Sequence, residues 1–248
     1  MLNLREEDRL VVLSISDCFK KNKLEKPYLV GGVVRDYFLK REYGDIDITN
    51  NSGGQSFLGG LFFARENLKD FKISKKGYVT IISEDHSKID FSSGMLAINS
   101  EVDLSETESR NFTINSILYD IQEDKIVDEF GGLDDIKNRL IRTIMPASAS
   151  LMENENRVIK CVELATKFNF AIDEEIVSFY KDNKPYIKYC FEKNKKYLFG
   201  SFAKAMDHDE DYFLNIVFNL DIFKIIPLAG KYKELLIRKK LLGRYIND

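Results

Sequence analysis

The sequence Leu29-Val30-Gly31-Gly32-Val33-Val34-Arg35-Asp36, with Gly44-Asp45-Ile46-Asp47-Ile48 a short helix further on, decides how this chain folds. Tyr28-Leu29-Val30 reads as a short buried strand introduced by Pro27, and the paired glycines turn it into a helix over Val33 to Leu39. Glycines at such a turn let backbone approach a ligand, and the start of the helix offers free N–H groups to an anion. Arg35, one turn into that helix, adds charged donors suited to phosphate. On the next strand Asp45 and Asp47 share one face because strand side chains alternate, while Ile46 and Ile48 anchor the other. Two carboxylates so placed form an oxygen seat for Mg²⁺ beside bound phosphates. Ile89-Asp90-Phe91 offers a third acid on a later strand. Three carboxylates holding two cations can activate an attacking hydroxyl and stabilise a leaving pyrophosphate. A lone D-x-D is common on exposed strand ends, so the weight rests on the joint pattern.

Outward from that segment, apolar spacing predicts an opening helix within residues 4–20. The Gly/Ser/Asn-rich stretch Asn50 to Gly60 reads as a mobile loop, and helical spacing resumes over Leu61 to Leu68. Phe71 to Ile73, Tyr78 to Ile82 and Lys88 to Phe91 read as successive strands. Phe112 to Tyr119 has helical character, Lys125 to Val127 is strand-like, and Gly131-Gly132 precedes a short helix ending near Leu140. Beyond Pro146 the pattern is helical throughout: Leu151 to Phe170, Glu174 to Tyr180, Tyr186 to Phe191, Tyr197 to Met206 and Tyr212 to Phe218. A boundary near 143–148 therefore separates a front of helices and strands from an all-helical back.

Composition removes several chemistries. The 248 residues are 44% hydrophobic and 31% charged, which suits a globular chain and is too apolar for disorder. No apolar run approaches the ~18 residues a membrane span needs. Met1 to Leu10 is too charged for a secretion signal, so a cytoplasmic protein is expected. Three scattered cysteines and two histidines argue against a disulfide framework, a cysteine-rich zinc site or a histidine-based triad. The net charge of −3 divides unevenly: residues 181–248 hold 14 Lys/Arg against 9 Asp/Glu, and the rest is acidic. An acidic front for cations and a basic back for phosphate hint at a nucleic-acid partner.

These motifs resemble the class II tRNA nucleotidyltransferases (CCA-adding enzymes) and the similar bacterial poly(A) polymerases. The family's G-G-x-V-R-D and D-x-D are matched by Gly31 to Asp36 and Asp45 to Asp47. Its R-R-D-F-T-x-N-A is matched imperfectly by Ser109 to Ser116, and its D-x-x-G-G-x-x-D-L resembles Asp128 to Ile136. Leu140 to Thr143 matches the exit from the family's head domain. The base-reading E-D-x-x-R resembles Glu153 to Arg157, and Leu220 to Pro227 is similar to a later neck helix.

The resemblance implies an α+β fold: a mixed-sheet head over residues 1–145, then an all-helical neck over 146–248 with a basic C-terminal part and without the family's body and tail domains. It implies a template-independent transferase adding CMP and/or AMP from CTP and ATP to the 3′ end of an RNA, tRNA foremost. Asp45, Asp47 and Asp90 would bind two Mg²⁺ ions. Gly31, Gly32, Arg35 and Asp36 would belong to the nucleotide site, with Gly32 and Arg35 on the triphosphate. Arg110, Asn111 and Asn115 would lie near ribose and phosphates. Asn154 and Arg157 would face the base, with Lys160 also on the nucleotide.

Departures cluster in the second group. Ser109 and Asn111 stand where the family has Arg and Asp, Asn154 replaces the base-reading Asp, and Lys160 and Glu163 replace two neck arginines. Asn donates and accepts hydrogen bonds where an ionised Asp only accepts, so the complementary base edge changes. Without the body and tail domains that grip the tRNA elbow in the family, a homodimer, a partner protein or a shorter RNA substrate is expected. Nucleotidyl transfer to a small molecule or protein, and a non-catalytic nucleotide- or RNA-binding role, remain as alternatives.

Overall fold

The computed structural model describes residues 2, 4–50, 54–74, 78–82, 88–92 and 111–225. Residues Met1–Pro146 and Ala147–Asp248 form two compact units. The first holds α1 (Glu6–Lys21), β1 (Tyr28–Val30), α2 (Gly32–Phe38), β2 (Ile46–Thr49), α3 (Gln55–Glu66), β3 (Phe71–Ile73), β4 (Val79–Ile82) and β5 (Lys88–Phe91). A 3₁₀ turn (Thr113–Asn115), β6 (Leu118–Asp120), β7 (Lys125–Val127), α4 (Gly132–Asn138) and β8 (Leu140–Ile141) complete it. Seven strands form one sheet in the order β3-β4-β5-β2-β1-β6-β7. The sheet is mixed: β2 runs parallel to β5 and antiparallel to β1. The fold is therefore α+β, as the motifs implied.

The sheet's buried face comes from alternation. Ile46 and Ile48 of β2, Leu29 of β1 and Phe91 of β5 are fully buried in one cluster with Ile15 and Phe19 of α1. Their burial fixes the register, because a slip of one residue would exchange the isoleucines for Asp45 and Asp47.

Two expectations are corrected here. The segment ending at Gly60 is not loop throughout: α3 starts at Gln55 and includes both Gly59 and Gly60. These glycines serve close packing rather than a turn. A Cβ on Gly59 would lie 2.0 Å from Cζ of Phe19, and one on Gly60 would lie 2.7 Å from Cγ of Phe91. The helix is thereby pressed between two buried rings. Phe112 to Tyr119 is not a helix either, since after the single 3₁₀ turn Leu118 to Asp120 pairs with β1 as β6.

The second unit contains α5 (Ala147–Glu153), α6 (Asn156–Phe168), β9 (Ala171–Ile172), α7 (Glu174–Asp182), α8 (Lys184–Lys193), α9 (Lys195–His208), α10 (Glu210–Asn219) and α11 (Ile222–Ile225). The helix expected from Leu151 to Phe170 is two helices, broken at Asn154 and Glu155. Cys161, Cys190, Tyr180 and Ile187 lie in its interior, and Tyr180 donates its hydroxyl proton to the carbonyl of Val158. All three cysteines are free thiols. Among the described residues no helix is long and apolar enough to cross a membrane.

Gly59→Ala tests the close approach of α3. Alanine gains about 1 kcal/mol of helix propensity, whereas overpacking against Phe19 costs about 1–3 kcal/mol. Net destabilisation in urea unfolding is expected, and a stabilised variant would show that Phe19 yields freely.

Candidate active site

The head site begins where β1 ends. Gly31 has φ 74° and ψ −130°, a conformation that side chains exclude, and this bend passes β1 directly into α2. Val30, just before it, is the register partner of Asp47, and Asp47 is in turn the register partner of Asp90. Register partners on paired strands project to the same face, so two half-buried carboxylates stand side by side next to the glycine bend. Asp90 accepts a hydrogen bond from Thr80 Oγ1, its own register partner on β4.

Asp45 lies two residues before Asp47. It precedes the first ladder residue of β2 and is exposed. Among the described residues no group of three His, Cys, Asp or Glu side chains is close enough to hold a metal ion. Of the three carboxylates expected at the metal site, Asp47 and Asp90 form the register-aligned pair. Asp45 is outside the ladder that aligns the other two. The donor set fits a hard divalent cation, being all carboxylate oxygen.

Arg35 lies in a different environment from the one its sequence position suggests. Its side chain is only 8% exposed and grips Asp36 with a two-pronged fork, Nε to Oδ1 at 2.8 Å and Nη2 to Oδ2 at 3.0 Å. Nη1 donates to Oδ1 of Asn115 at 2.6 Å. Three residues expected to touch nucleotide are therefore bonded to one another, tying α2 to the 3₁₀ turn. Charge-assisted two-pronged bonds of this kind are the strong ones.

The turn that carries Asn115 is itself braced, by residues of the quoted motifs to which the sequence reading gave no role. Thr113 Oγ1 donates to Asp135, which also receives Nε of Arg142 at 3.0 Å. Asp128 accepts from the backbone N–H groups of Gly132 and Leu133, both at 2.8 Å, and so holds the start of α4. A Cβ on Gly132 would stand 2.3 Å from the carbonyl oxygen of Thr113, so only glycine lets α4 sit against this turn. The available signal was Asp128 placed just before two glycines and an acidic first turn. Asn111 opens the segment in the left-handed region at φ 74°, which Asn tolerates better than most residues. Arg110 and Ser109 lie outside the described residues.

The helical unit places its motif at the break between α5 and α6. Asn154 is exposed, and its Oδ1 accepts from the N–H of Asn156 at 3.0 Å. Arg157 is buried, paired with Glu153, and donates from Nη1 to the carbonyl of Ser150 at 2.8 Å. Lys160 pairs with Glu163 at 2.7 Å, and Ser201 of α9 donates to the other Glu163 oxygen, also at 2.7 Å. Burial opposes the charge on Glu163, but the hydrogen bond from Lys160, its positive charge and Ser201 outweigh it. The carboxyl is held below the ordinary glutamate value.

Residues 27–142 match the family of poly A polymerase head domains. A CCA-adding enzyme of Staphylococcus epidermidis is 27% identical over 230 residues, which cover 86% of this chain and 54% of that protein. A CCA-adding enzyme of Staphylococcus aureus is 30% identical over 191 residues, 70% of this chain and 43% of that protein. A CC-adding tRNA nucleotidyltransferase of Synechocystis is 27% identical over 162 residues, 64% and 37% respectively. The chain thus spans about half, or less, of the curated relatives it matches. A solved complex of a CCA-adding enzyme with ATP superposes with a TM-score of 0.72 at 18% identity, covering 98% of this chain and 59% of that one. The Thermotoga maritima CCA-adding enzyme complexed with tRNA gives 0.69 at 18% identity, with 89% and 52% covered. These superpositions establish the fold, and the likeness to class II tRNA nucleotidyltransferases read from the motifs holds.

This geometry makes two measurements decisive. Asp36→Ala removes the carboxylate that two of the buried guanidinium's bonds reach and should cost about 3–5 kcal/mol in urea unfolding. Asn115→Ala removes one charge-assisted bond and should cost about 1.5–3 kcal/mol, so the reverse ranking would contradict the arrangement. The second concerns pH. A carboxyl with a depressed folded pKa stabilises fully above its ordinary value and loses that contribution as pH falls through its folded value. The stability difference between the wild type and Glu163→Gln should therefore shrink on acidification below about pH 5, and a difference that stays flat to about pH 3 would contradict the assignment.

Proposed function

We propose, because residues 27–142 belong to the poly A polymerase head-domain family, that this chain is a template-independent RNA nucleotidyltransferase. It transfers a nucleotide from CTP or ATP to the 3′ end of an RNA, with tRNA as the favoured acceptor, and works in the cytoplasm. The observation that carries the reading is the in-register pair Asp47 and Asp90 beside the Gly31 bend. Adjacent carboxylates at the mouth of a backbone turn suit the chemistry of phosphoryl groups bound with divalent cations.

In the reaction the RNA 3′ hydroxyl oxygen bonds to the α-phosphorus, the bond to the β,γ-pyrophosphate breaks, and the hydroxyl proton is released. Asp47 and Asp90 would hold Mg²⁺, with Asp45 able to join from two residues earlier in the chain. Bound there, Mg²⁺ would supply charge neutralisation during the transfer. Gly31 and Gly32 leave room for phosphates to approach the backbone. Arg35 and Asp36 act by fixing α2 on the turn that carries Asn115, so they position the nucleotide site as a unit.

Base choice rests on the helical unit. The guanidinium of Arg157 is anchored on Ser150 and Glu153, while the Asn154 side chain stands exposed at the helix break. A carboxamide presents both a donor and an acceptor where the related motif presents two acceptors. The preference between C and A is therefore expected to differ from that of an enzyme with Asp at this place.

Incubating the purified chain with RNA, Mg²⁺ and each labelled NTP in turn, followed by 3′-end sequencing, tests the reading. Incorporation of C, A or both is expected, and Asp47→Ala should reduce it at least about a hundredfold. No labelling of any RNA, with labelling of a small molecule or protein instead, would move the acceptor to another class. Activity undiminished in Asp47→Ala with Asp90→Ala would refute the catalytic assignment.

A further inference from the structure

The helical unit contains a cavity of about 600 Å³ whose lining includes Lys160, expected near the nucleotide, and several residues given no role above. It is lined by Lys160 and Glu163 of α6, Lys193 at the end of α8, and Lys196, Ser201 and Lys204 of α9. Its volume lies in the range of ligand sites. Four lysines and the Glu163 carboxylate line it; Lys160 is paired with Glu163 at 2.7 Å, and Lys193 with Glu155, outside the lining, at 2.6 Å. Lys196 and Lys204 are exposed and within salt-bridge distance of no described carboxylate, although the positive charge of Lys204 also helps hold Glu163 ionised.

Their spacing narrows the ligand. Lys196, Gly200 and Lys204 fall at every fourth position of α9, on one stripe of the helix. The two lysines are about 12 Å apart along the axis at ~1.5 Å per residue. Gly200 between them has open space where a Cβ would be. A single small anion meets one end of this stripe, whereas a chain of successive phosphates can meet both. Beneath it, the Glu163 carboxylate is already satisfied by Lys160 and Ser201, so it lowers the attraction for an anion without cancelling it.

We propose that this cavity is a binding site for the phosphodiester backbone of single-stranded RNA, held by Lys196 and Lys204 across the opening at Gly200. The proposal rests on the reading that RNA is the acceptor, and it adds a place on this chain where that RNA is gripped away from its reacting end.

Binding is measured with the full chain and a fluorescently labelled single-stranded oligoribonucleotide, without NTP, by anisotropy across a salt series. The double variant Lys196→Ala/Lys204→Ala should bind about tenfold or more weakly, with the log–log salt slope lowered by about 1.4, for two phosphates at ~0.7 each. Gly200→Leu fills the cavity without changing charge and favours the helix, so it should also weaken binding while leaving the thermal unfolding midpoint intact. Glu163→Gln, which can still accept from Ser201, should tighten binding. Unchanged affinity and slope in the lysine variant would overturn the proposal. So would normal binding by Gly200→Leu, because the RNA would then be held by general surface charge. Inorganic phosphate provides the remaining arm: displacement of the oligonucleotide by low millimolar phosphate would assign the site to a free anion instead. RNA bound as expected, with no nucleotide incorporated, would count against the transferase reading alone, and incorporation with unaltered binding by all variants would count against this site alone.

Discussion

Strand β2 lies between β1 and β5, and the burial of Ile46 and Ile48 holds it there in one register. Each isoleucine is fully excluded from water, so a slip would expose both and drive carboxylates into an apolar layer. With the register fixed, Asp47 has no choice of neighbour. It sits across from Val30, the last strand residue before the glycine bend, and across from Asp90 on the other side. The proximity of acidic groups to the bend is thus a consequence of hydrophobic alternation, and the polar site is built by the apolar residues between its members.

The same logic runs through the glycines. Gly59 and Gly60 read as loop residues, and Gly132 as part of a turn, yet each marks a place where two elements meet without room for a methyl group. Phe19 and Phe91 press on α3, and the carbonyl of Thr113 presses on α4. The second of these contacts sets the height of the 3₁₀ turn and hence the position of Asn115, which reaches Arg35. The run from Asp128 to Ile136 thereby has a mechanical role: it clamps a turn that closes on the double-glycine helix.

In the helical unit the substitutions relative to the resembled motif form working contacts of their own. Glu163, in place of a cation, is bonded to Lys160 and to Ser201, joining α6 to α9. Asn154 accepts from a backbone N–H at the break between α5 and α6. Both residues are integrated into local structure.

Local alternation and spacing were enough to locate the strands around Gly31 and the helical character of residues 147–225. The family resemblance was equally legible, because its motifs are contiguous in the chain. Relations between distant segments were not legible and emerged with the packed fold. Arg35 is turned onto Asp36 and Asn115, Asp47 is beside Asp90, and a break falls at Asn154 inside a continuous helical pattern. The strand at Leu118 was hidden for the same reason: its pairing partner is β1, some 90 residues earlier. Periodicity reports which face of a segment meets the core, but it carries no term for which other segment supplies that core, and the partners of buried charges are chosen at that level.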